Sequence, residues 1–178
     1  VAGLSAKRNR RTYSASFADL DGDHDLDLLT VCDFSGIDLY RNNGHGKFTD
    51  VTDQWVKQRH GFGMSHTVND FDGDGALDIY MVGMSSTTAR RLDQLGLGRE
   101  GFEKLDAMRA PMTYGNRLYI GGKTGFHQPD LSSDVARTGW SWGCSSADFD
   151  NDGDMDLYVA NGHLSGNSAL DYCTRFWC

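Results

Sequence analysis

One pattern occurs three times in this chain, as Asp19-Leu-Asp-Gly-Asp-His-Asp-Leu-Asp27, Asp70-Phe-Asp-Gly-Asp-Gly-Ala-Leu-Asp78 and Asp148-Phe-Asp-Asn-Asp-Gly-Asp-Met-Asp156. Each segment places carboxylates at its first, third, fifth and ninth positions. Like charges at this spacing repel one another and oppose folding. A hard divalent cation reverses that effect, and Ca²⁺ accepts about six to eight oxygen ligands in flexible geometry. The pattern therefore predicts three calcium sites, one in each of three structural repeats.

The other positions of each loop also suit a chain that wraps around one ion. The carboxylates can converge on the ion while position 7 offers its backbone carbonyl. Glycine at position 6 permits the positive φ of a tight wrap, and Gly75 and Gly153 fill it. The first loop has His24 there, which the left-handed region allows. Apolar residues at positions 2 and 8 are predicted to anchor the loops to the core, namely Leu20, Phe71, Phe149, Leu26, Leu77 and Met155.

Two alternatives to this interpretation exist. EF-hand and dockerin loops carry an acidic residue at position 12 and lie between helices. Here position 12 is Thr30, Met81 or Val159, and the segments that follow have the composition of strands. The second alternative is a set of solvated acidic turns that hold no metal.

Composition places the chain among globular all-β proteins. Its 178 residues suffice for one domain with a core, and its 22 glycines against two prolines indicate many tight turns. The formal charge is −8, but the three loops contain fourteen of the 25 acidic residues. Three bound Ca²⁺ would change the total to −2, so the acidity does not indicate mimicry of nucleic acid, and we expect no nucleic-acid partner. No apolar stretch is long enough to span a membrane, and the N-terminus as given has no signal peptide.

The four cysteines favour an oxidising compartment. Cys173 and Cys178 are close enough in sequence to form a disulfide, and no CxxC pair suggests a zinc site. Cys32 and Cys144 each lie near an acidic loop in apolar surroundings, where either a bridge or buried free thiols are consistent with the sequence.

An internal repeat organises the chain. A β-type segment follows every loop, and a Leu-Tyr hairpin follows twice; these elements are Leu26–Val31, Leu77–Val82, Met155–Val159, Leu39–Phe48 and Leu118–Phe126. Asn43-Gly44 is the turn signal of the first hairpin. Tyr40 precedes the next loop by 30 residues and Tyr119 precedes the next by 29, which supports one repeat unit.

The second repeat contains an insertion of about 28 residues, predicted at about 85–112. Thr87–Leu95 has a capping start and helix-forming residues, and Gly96 ends it. Glu100–Arg109 is predicted as a second short helix that ends before Pro111. We expect both helices to lie outside the β framework and to cover an edge of it.

Without the insertion the period is about 50 residues, which fits a four-stranded propeller blade. The predicted strands of the first blade are Tyr13–Ala18, Leu26–Val31, Ile37–Arg41 and Lys47–Val51. The predicted fold is all-β, with about three and a half four-stranded blades and a short helical insertion. Residues 1–178 would then form a single propeller region that belongs to a longer chain, because propellers close with about four to eight blades.

Several motifs resemble a known family. Phe17-Ala-Asp-Leu-Asp-Gly-Asp23, Asp70-Phe-Asp-Gly-Asp-Gly75 and Ala147-Asp-Phe-Asp-Asn-Asp-Gly-Asp-Met-Asp-Leu157 resemble the FG-GAP/VCBS repeats of integrin-α-type propellers. Arg41–Thr52 and Thr138–Gly143 are similar to secreted bacterial relatives of cartilage acidic protein. The resemblance covers nearly all of the chain except the insertion. It implies a calcium-stabilised propeller, usually seven-bladed, that is exported and often serves adhesion or binding.

The resemblance also implies a ligand set for three Ca²⁺ ions. The side-chain ligands would be Asp19, Asp21, Asp23 and Asp27 in the first site, Asp70, Asp72, Asp74 and Asp78 in the second, and Asp148, Asp150, Asp152 and Asp156 in the third. Asp25, Ala76 and Asp154 would contribute backbone carbonyls. The chain departs from the family pattern at His24 and in its number of blades.

Together these features predict a non-catalytic, calcium-binding module that is extracellular, periplasmic or on the cell surface and contacts a protein or glycan. The alternatives are a propeller-type lyase or hydrolase and an accessory subunit of a larger envelope assembly. Candidate catalytic or substrate-binding residues for an enzyme are His45, His60, His66, His127, His163, Arg90, Arg91 and Arg137. No spacing groups them into a triad or a metal cluster, and we expect no enzymatic activity.

Overall fold

A computed structural model describes residues 10–161, and those residues form three antiparallel sheets that follow one another along the chain. The first sheet contains β1 (Arg11–Ala18), β2 (Asp27–Asp33), β3 (Gly36–Asn42) and β4 (Phe48–Asp50), in that order. The second contains β5 (Gly63–Asn69), β6 (Asp78–Gly83) and β7 (Arg117–Tyr119). The third contains β8 (Ser141–Ala147) and β9 (Asp156–Asn161). We refer to these sheets as the first, second and third blades.

The all-β prediction is confirmed, and the four strands predicted for the first blade are those observed, with small shifts at their ends. The register is the same in the first two blades. Tyr40 pairs with Leu28, and the equivalent Tyr119 pairs with Ile79. The repeat deduced from the spacing of the Leu-Tyr hairpins is therefore a repeat of strand pairing.

Each of the first two blades also makes the same contact with the segment that leads to the next blade. Gly36 begins β3 with a φ of 82°, and the N–H of Ile37 donates to the carbonyl of Arg59. Gly115 has a φ of 110°, and the N–H of the next residue donates to the carbonyl of Ala136. A Cβ on Gly36 would lie 1.9 Å from that carbonyl oxygen, so only glycine permits this close approach.

Two apolar layers hold the blades together. The layer between the first and second blades is formed by Leu20, Leu29, Val31, Ile37, Leu39, Val51, Val56, Ile79, Met81, Tyr119 and Phe126. The second layer contains Tyr80, Val82 and Leu118, against which Cys144, Leu157 and Val159 of the third blade pack. Alternate residues of β6 thus face opposite neighbours, as a strand with two covered faces requires.

The insertion forms α2 (Thr87–Gln94) and α3 (Glu103–Met112). The side chain of Ser86 caps α2 by accepting from the N–H of Ala89 at 3.0 Å. The predicted end of the second helix before Pro111 is wrong, because α3 includes that proline in its last turn. Proline has a helical φ, and at position 111 it costs one i→i−4 hydrogen bond just before the helix ends at Met112.

Smaller features differ from the sequence prediction or were absent from it. A short helix, α1 (Thr52–Trp55), follows β4, and a 3₁₀ turn spans Asp130–Ser133. The β3–β4 hairpin is confirmed, but its connection has five residues rather than a tight Asn-Gly turn, because Asn42 pairs with Phe48. None of the helices in residues 10–161 has the length and apolar content that crossing a membrane requires.

The two cysteines in the described region are free thiols. Cys32 is buried in β2, and its sulfur lies 3.3 Å from the Thr12 hydroxyl oxygen. Cys144 lies in the third blade and contacts the second. A bridge between these two is therefore not formed, whereas Cys173 and Cys178 lie outside the described residues.

Candidate metal centres in the three acidic loops

The acidic loops occupy the same place in all three blades, between the first and second strands. The residue before each loop pairs with the ninth loop residue, as Ala18 with Asp27, Asn69 with Asp78, and Ala147 with Asp156. The loops therefore close antiparallel strand pairs, and all three emerge at the end of a blade's first strand.

The first aspartate of each loop binds the backbone of the loop itself. Asp19 Oδ1 accepts from the N–H groups of Gly22 at 2.9 Å and Asp23 at 3.1 Å, and its Oδ2 accepts from His24 at 3.0 Å. Equivalent bonds join Asp70 to Gly73, Asp74 and Gly75, and Asp148 to Asp152 and Gly153. These bonds curl the backbone around the carboxylates, so the shape of the loop is encoded locally.

The ninth aspartate ties the loop to the rest of the blade. Asp27 is fully buried, and its carboxylate accepts from the Leu20 N–H at 3.2 Å and from the Asn42 N–H, in β3, at 2.7 Å. Asp78 repeats both bonds at 2.7 Å, with the N–H groups of Phe71 and Gly121. The sequence indicated an acidic residue here but did not show that it would connect the loop to the third strand.

The predicted left-handed residue at position 6 is confirmed in every loop. The φ angles are 71° at His24, 88° at Gly75 and 99° at Gly153. Position 4 is left-handed as well, which the sequence analysis missed, with φ values of 77° at Gly22, 75° at Gly73 and 61° at Asn151. Glycine and asparagine are the residues that most readily adopt this conformation, so the residue types at position 4 carried the signal.

Three carboxylates converge in each loop. One oxygen from each member of a set lies within 4.8 Å of the others, and the sets are Asp19, Asp21 and Asp23; Asp70, Asp72 and Asp78; and Asp148, Asp150 and Asp156. The structure thus brings together three of the four predicted side chains per loop and leaves Asp27, Asp74 and Asp152 outside the sets. At position 7, the N–H groups of Asp25, Ala76 and Asp154 donate to the carboxylate at position 5 of the same loop.

Several carboxyl groups of the loops have raised pKa values. Burial, with a contribution from the charges of Asp21 and Asp23, raises the pKa of Asp27 to about 6, although two backbone N–H bonds oppose the shift. Burial also raises the pKa of Asp78, and burial together with the charge of Asp23 raises that of Asp21. Carboxyl groups that resist ionisation in this way are stabilised as anions when a cation sits among them.

The donor set fits calcium. Every member of the three convergent sets is a carboxylate, and hard oxygen donors of this kind suit Ca²⁺, whereas zinc sites usually include histidine or cysteine. When bound, the ion would neutralise the clustered charge and fix the position of the loop. The chain's own contribution is the backbone curl and the buried ninth aspartate, which hold the carboxylates close together.

The expected apolar anchors are correct only in part. Leu20 is buried, and Phe71 packs against the second apolar layer. Leu26, Phe149 and Met155 are exposed.

The histidines and arginines considered for catalysis do not form a group with the loops. His66 is buried between blades and its Nε2 lies 2.8 Å from the Ser16 hydroxyl oxygen, whereas His45 and His127 are exposed. His60 is half-buried, Arg90 and Arg91 lie in α2, and His163 lies outside the described residues.

The repeated geometry agrees with a comparison of sequences. A model of the FG-GAP-like repeat matches residues 19–81 and 104–159, which is more than half of the chain and includes all three loops. The chain belongs to the FG-GAP-like repeat family. The unmatched interval between the two stretches contains α2, so the insertion is what separates this chain from a plain succession of repeats. No curated protein matches the sequence.

Proposed function

We propose that this FG-GAP-repeat protein is a calcium-stabilised, non-catalytic module that binds a protein or a glycan at the cell surface, in the periplasm or outside the cell. The observation that supports it most is the convergence of three carboxylates in each of the three loops. The proposed ligands are the carboxylates at positions 1, 3, 5 and 9 and the carbonyl at position 7, as in the sequence analysis. In the first two loops the carboxylates at positions 3 and 5 each accept one backbone hydrogen bond, fewer than those at positions 1 and 9, so their oxygens are the more available to an ion.

Calcium in this account has a structural role. The ion would join the first two strands of a blade, and the ninth aspartate would transmit that constraint to the third strand. Rigid blades then present exposed loops and the helical insertion to a partner. Membership of the FG-GAP-like family supports an extracellular binding role, since such repeats commonly serve as interaction scaffolds.

The proposal extends to the relatives of the chain and to the assembly of its blades. Residues 41–52 and 138–143 support a relation to secreted bacterial homologues of cartilage acidic protein. The blades also support a larger propeller, in which this region is combined with further blades or with other subunits.

Thermal unfolding with and without a chelator tests the calcium role. We expect EGTA to lower the Tm by about 10 °C or more, because each ion that binds only the folded state stabilises it by mass action. Asp78→Asn should lower the Tm in calcium and respond less to EGTA than the wild type does. Asp93→Asn, which makes the same change on the exposed face of α2, serves as the control. Identical unfolding curves in calcium and in EGTA would contradict the proposal.

A further inference from the structure

Arg117 of β7 is a buried cation in the second blade, with 2% of its surface exposed. Its Nε donates to the carbonyl oxygen of His60 at 3.0 Å, Nη1 to Gln128 Oε1 at 3.1 Å and Nη2 to the carbonyl oxygen of Pro111 at 2.9 Å. The guanidinium also lies over the Tyr114 ring, 4.4 Å from its centroid. All of these partners are neutral, so they orient the guanidinium without cancelling its charge.

The charge of Arg117 has no counter-ion among residues 10–161. The arginine ion pairs of this region join Arg10, Arg59 and Arg109 to aspartates, and none includes Arg117. A guanidinium has five N–H donors, so two remain after its three hydrogen bonds. Burial lowers the pKa of Arg117, yet an arginine stays protonated at physiological pH. A buried charge without a partner is costly, and an anion brought by a ligand would offset that cost.

Space for such a ligand exists beside Arg117. A cavity of about 500 Å³ is lined by Gln58, Ala110, Pro111, Tyr114, Arg117, Gln128, Pro129, Asp130, Ser132 and Ser133. A second cavity of about 330 Å³ shares Gln58 and Gln128 with it and adds Lys57 and His127. We call the two together the Arg117 groove. It lies between the end of α3, β7 and the 3₁₀ turn.

The lining of the groove suits a polar anion the size of a sugar acid. Amide, hydroxyl and phenol groups supply hydrogen-bond donors around the guanidinium, and the exposed Lys57 adds a second positive charge. Asp130 is the one acidic lining residue, and it is exposed at the rim. The volume lies within the range of about 300–1,000 Å³ that is common for small-ligand sites.

The first blade has a buried charge with ion-pair partners at the same strand position. Asp38 pairs with Thr30 in β2 as Arg117 pairs with Met81 in β6, so the two charged residues are equivalent. Asp38 is 1% exposed and forms ion pairs with Arg10 and Arg59. The fold therefore supplies a partner for the buried charge in one blade and leaves the other beside an open cavity.

We propose that the Arg117 groove binds an oxyanion, a carboxylate or a sulfate, carried by a saccharide-sized ligand, with Arg117 as the anchoring cation. This inference deepens the binding role proposed above and rests on it. It makes no use of the calcium loops as ligand contacts, so the two proposals can fail separately.

Isothermal titration calorimetry of the calcium-saturated protein at constant ionic strength tests the groove. Sodium glucuronate and sodium sulfate are the anionic probes, and glucose is the neutral match of the first. We expect saturable binding of at least one anion and none of glucose. The anion that binds more tightly identifies the source of the oxyanion. Absence of binding of both anions in protein that still shows its calcium-dependent Tm would overturn the groove proposal alone.

Variants locate the binding. Arg117→Gln should weaken it at least tenfold, and Lys57→Gln, an exposed rim change that does not threaten folding, about threefold. Asp130→Asn removes a repelling charge and should tighten binding about twofold to threefold. Arg91→Gln, which removes an exposed charge from α2, should leave it unchanged. Equal affinities in the wild type, Lys57→Gln and Asp130→Asn would contradict the proposal even if Arg117→Gln failed to fold.

Discussion

The first and second blades share the pairing of their first three strands but fill equivalent interior positions differently. Both have the acidic loop, the Leu-Tyr pair of the third strand and the glycine that approaches the following segment. In the first blade, Leu29 and Ile37 face the second blade in an apolar layer. The equivalent residues of the second blade are Tyr80 and Asn116, which form a polar network instead.

The polar network of the second blade is fully connected. Asn116 Nδ2 donates to the Tyr80 hydroxyl oxygen and to Thr138 Oγ1, both at 2.8 Å, and its Oδ1 accepts from the Gly83 N–H at 3.0 Å. The Tyr80 hydroxyl donates to the Val135 carbonyl at 2.8 Å. Because each buried polar atom has a partner, the network avoids the desolvation cost that a lone amide would incur.

The two blades share their backbone contacts and their loop, whereas the side chains that fill the interface differ from one blade to the other. These side chains should not be interchangeable, because an apolar site lacks hydrogen-bond partners and a polar one has groups that depend on theirs. Exchanging residues between the blades therefore tests the comparison directly.

The largest effect is expected from Ile37→Asn. The new amide would lie in an apolar layer without partners, and we expect a loss of about 4 kcal/mol in the free energy of unfolding. The reverse change, Asn116→Ile, leaves the Gly83 N–H unsatisfied and should cost about 2–3 kcal/mol. Urea unfolding of the calcium-bound protein measures both. Costs below about 1 kcal/mol for either variant would show that the two interfaces are interchangeable.

The charged positions provide the second test. Asp38→Asn leaves Arg10 and Arg59 without their shared carboxylate, and we expect a loss of about 3 kcal/mol. Arg117→Gln removes an unpaired charge and its hydrogen bonds together, so its loss should be smaller, about 1–2 kcal/mol.

Urea unfolding at low and high salt measures the free energy of unfolding that Asp38→Asn and Arg117→Gln each lose. The control is Asp53→Asn, because Asp53 is the exposed partner of Arg59 and should contribute less than 1 kcal/mol. A greater loss in the free energy of unfolding for Arg117→Gln than for Asp38→Asn would contradict the view that Asp38 has its counter-ions and Arg117 lacks one.

A smaller effect is expected from the pH dependence of His66, which lies at the interface of the first two blades. Burial lowers its pKa to about 4 from an ordinary 6.5, and no charged neighbour contributes. The unfolded chain therefore binds a proton at a higher pH than the folded chain does. The stability that neutral His66 contributes is complete above pH 6.5 and declines as the pH falls toward 4. Between pH 7 and pH 5 this loss is about 2 kcal/mol.

The variant His66→Gln isolates that contribution. Glutamine does not titrate, so the difference in unfolding free energy between wild type and variant should change by about 2 kcal/mol between pH 7 and pH 5. Ser16→Ala, which removes the hydroxyl next to His66 Nε2 and keeps the histidine, should retain the pH dependence. A difference that is constant with pH would show that His66 titrates normally.

The local pattern of the sequence predicted the strands, the loops and the left-handed residue at position 6. Alternation and turn residues act over a few positions, so Asp19–Asp27 contains the information for its own shape. The end of α3 was mispredicted because proline disfavours helices in general, whereas α3 continues through Pro111 to Met112. The helix α1 was missed because one turn carries too weak a signal.

The sequence could not reveal features that depend on distant segments. The bond from Asp27 to Asn42 spans 15 residues, and that from Asp78 to Gly121 spans 43 because the insertion lies between. Sequence alone did not identify Arg117, because its lack of a counter-ion depends on which residues the fold places around it. Alignment of the Leu-Tyr pairs shows that Arg117 holds the position of Asp38 in the repeat. This reversal of charge between equivalent positions was the signal available.

Counting the ions tests the central claim most directly. After equilibrium dialysis against millimolar calcium, atomic absorption should find three Ca²⁺ per chain, and a variant with Asp72→Asn and Asp74→Asn should bind one fewer. Fewer than one ion per chain in the folded wild type would contradict the view that calcium holds the three loops.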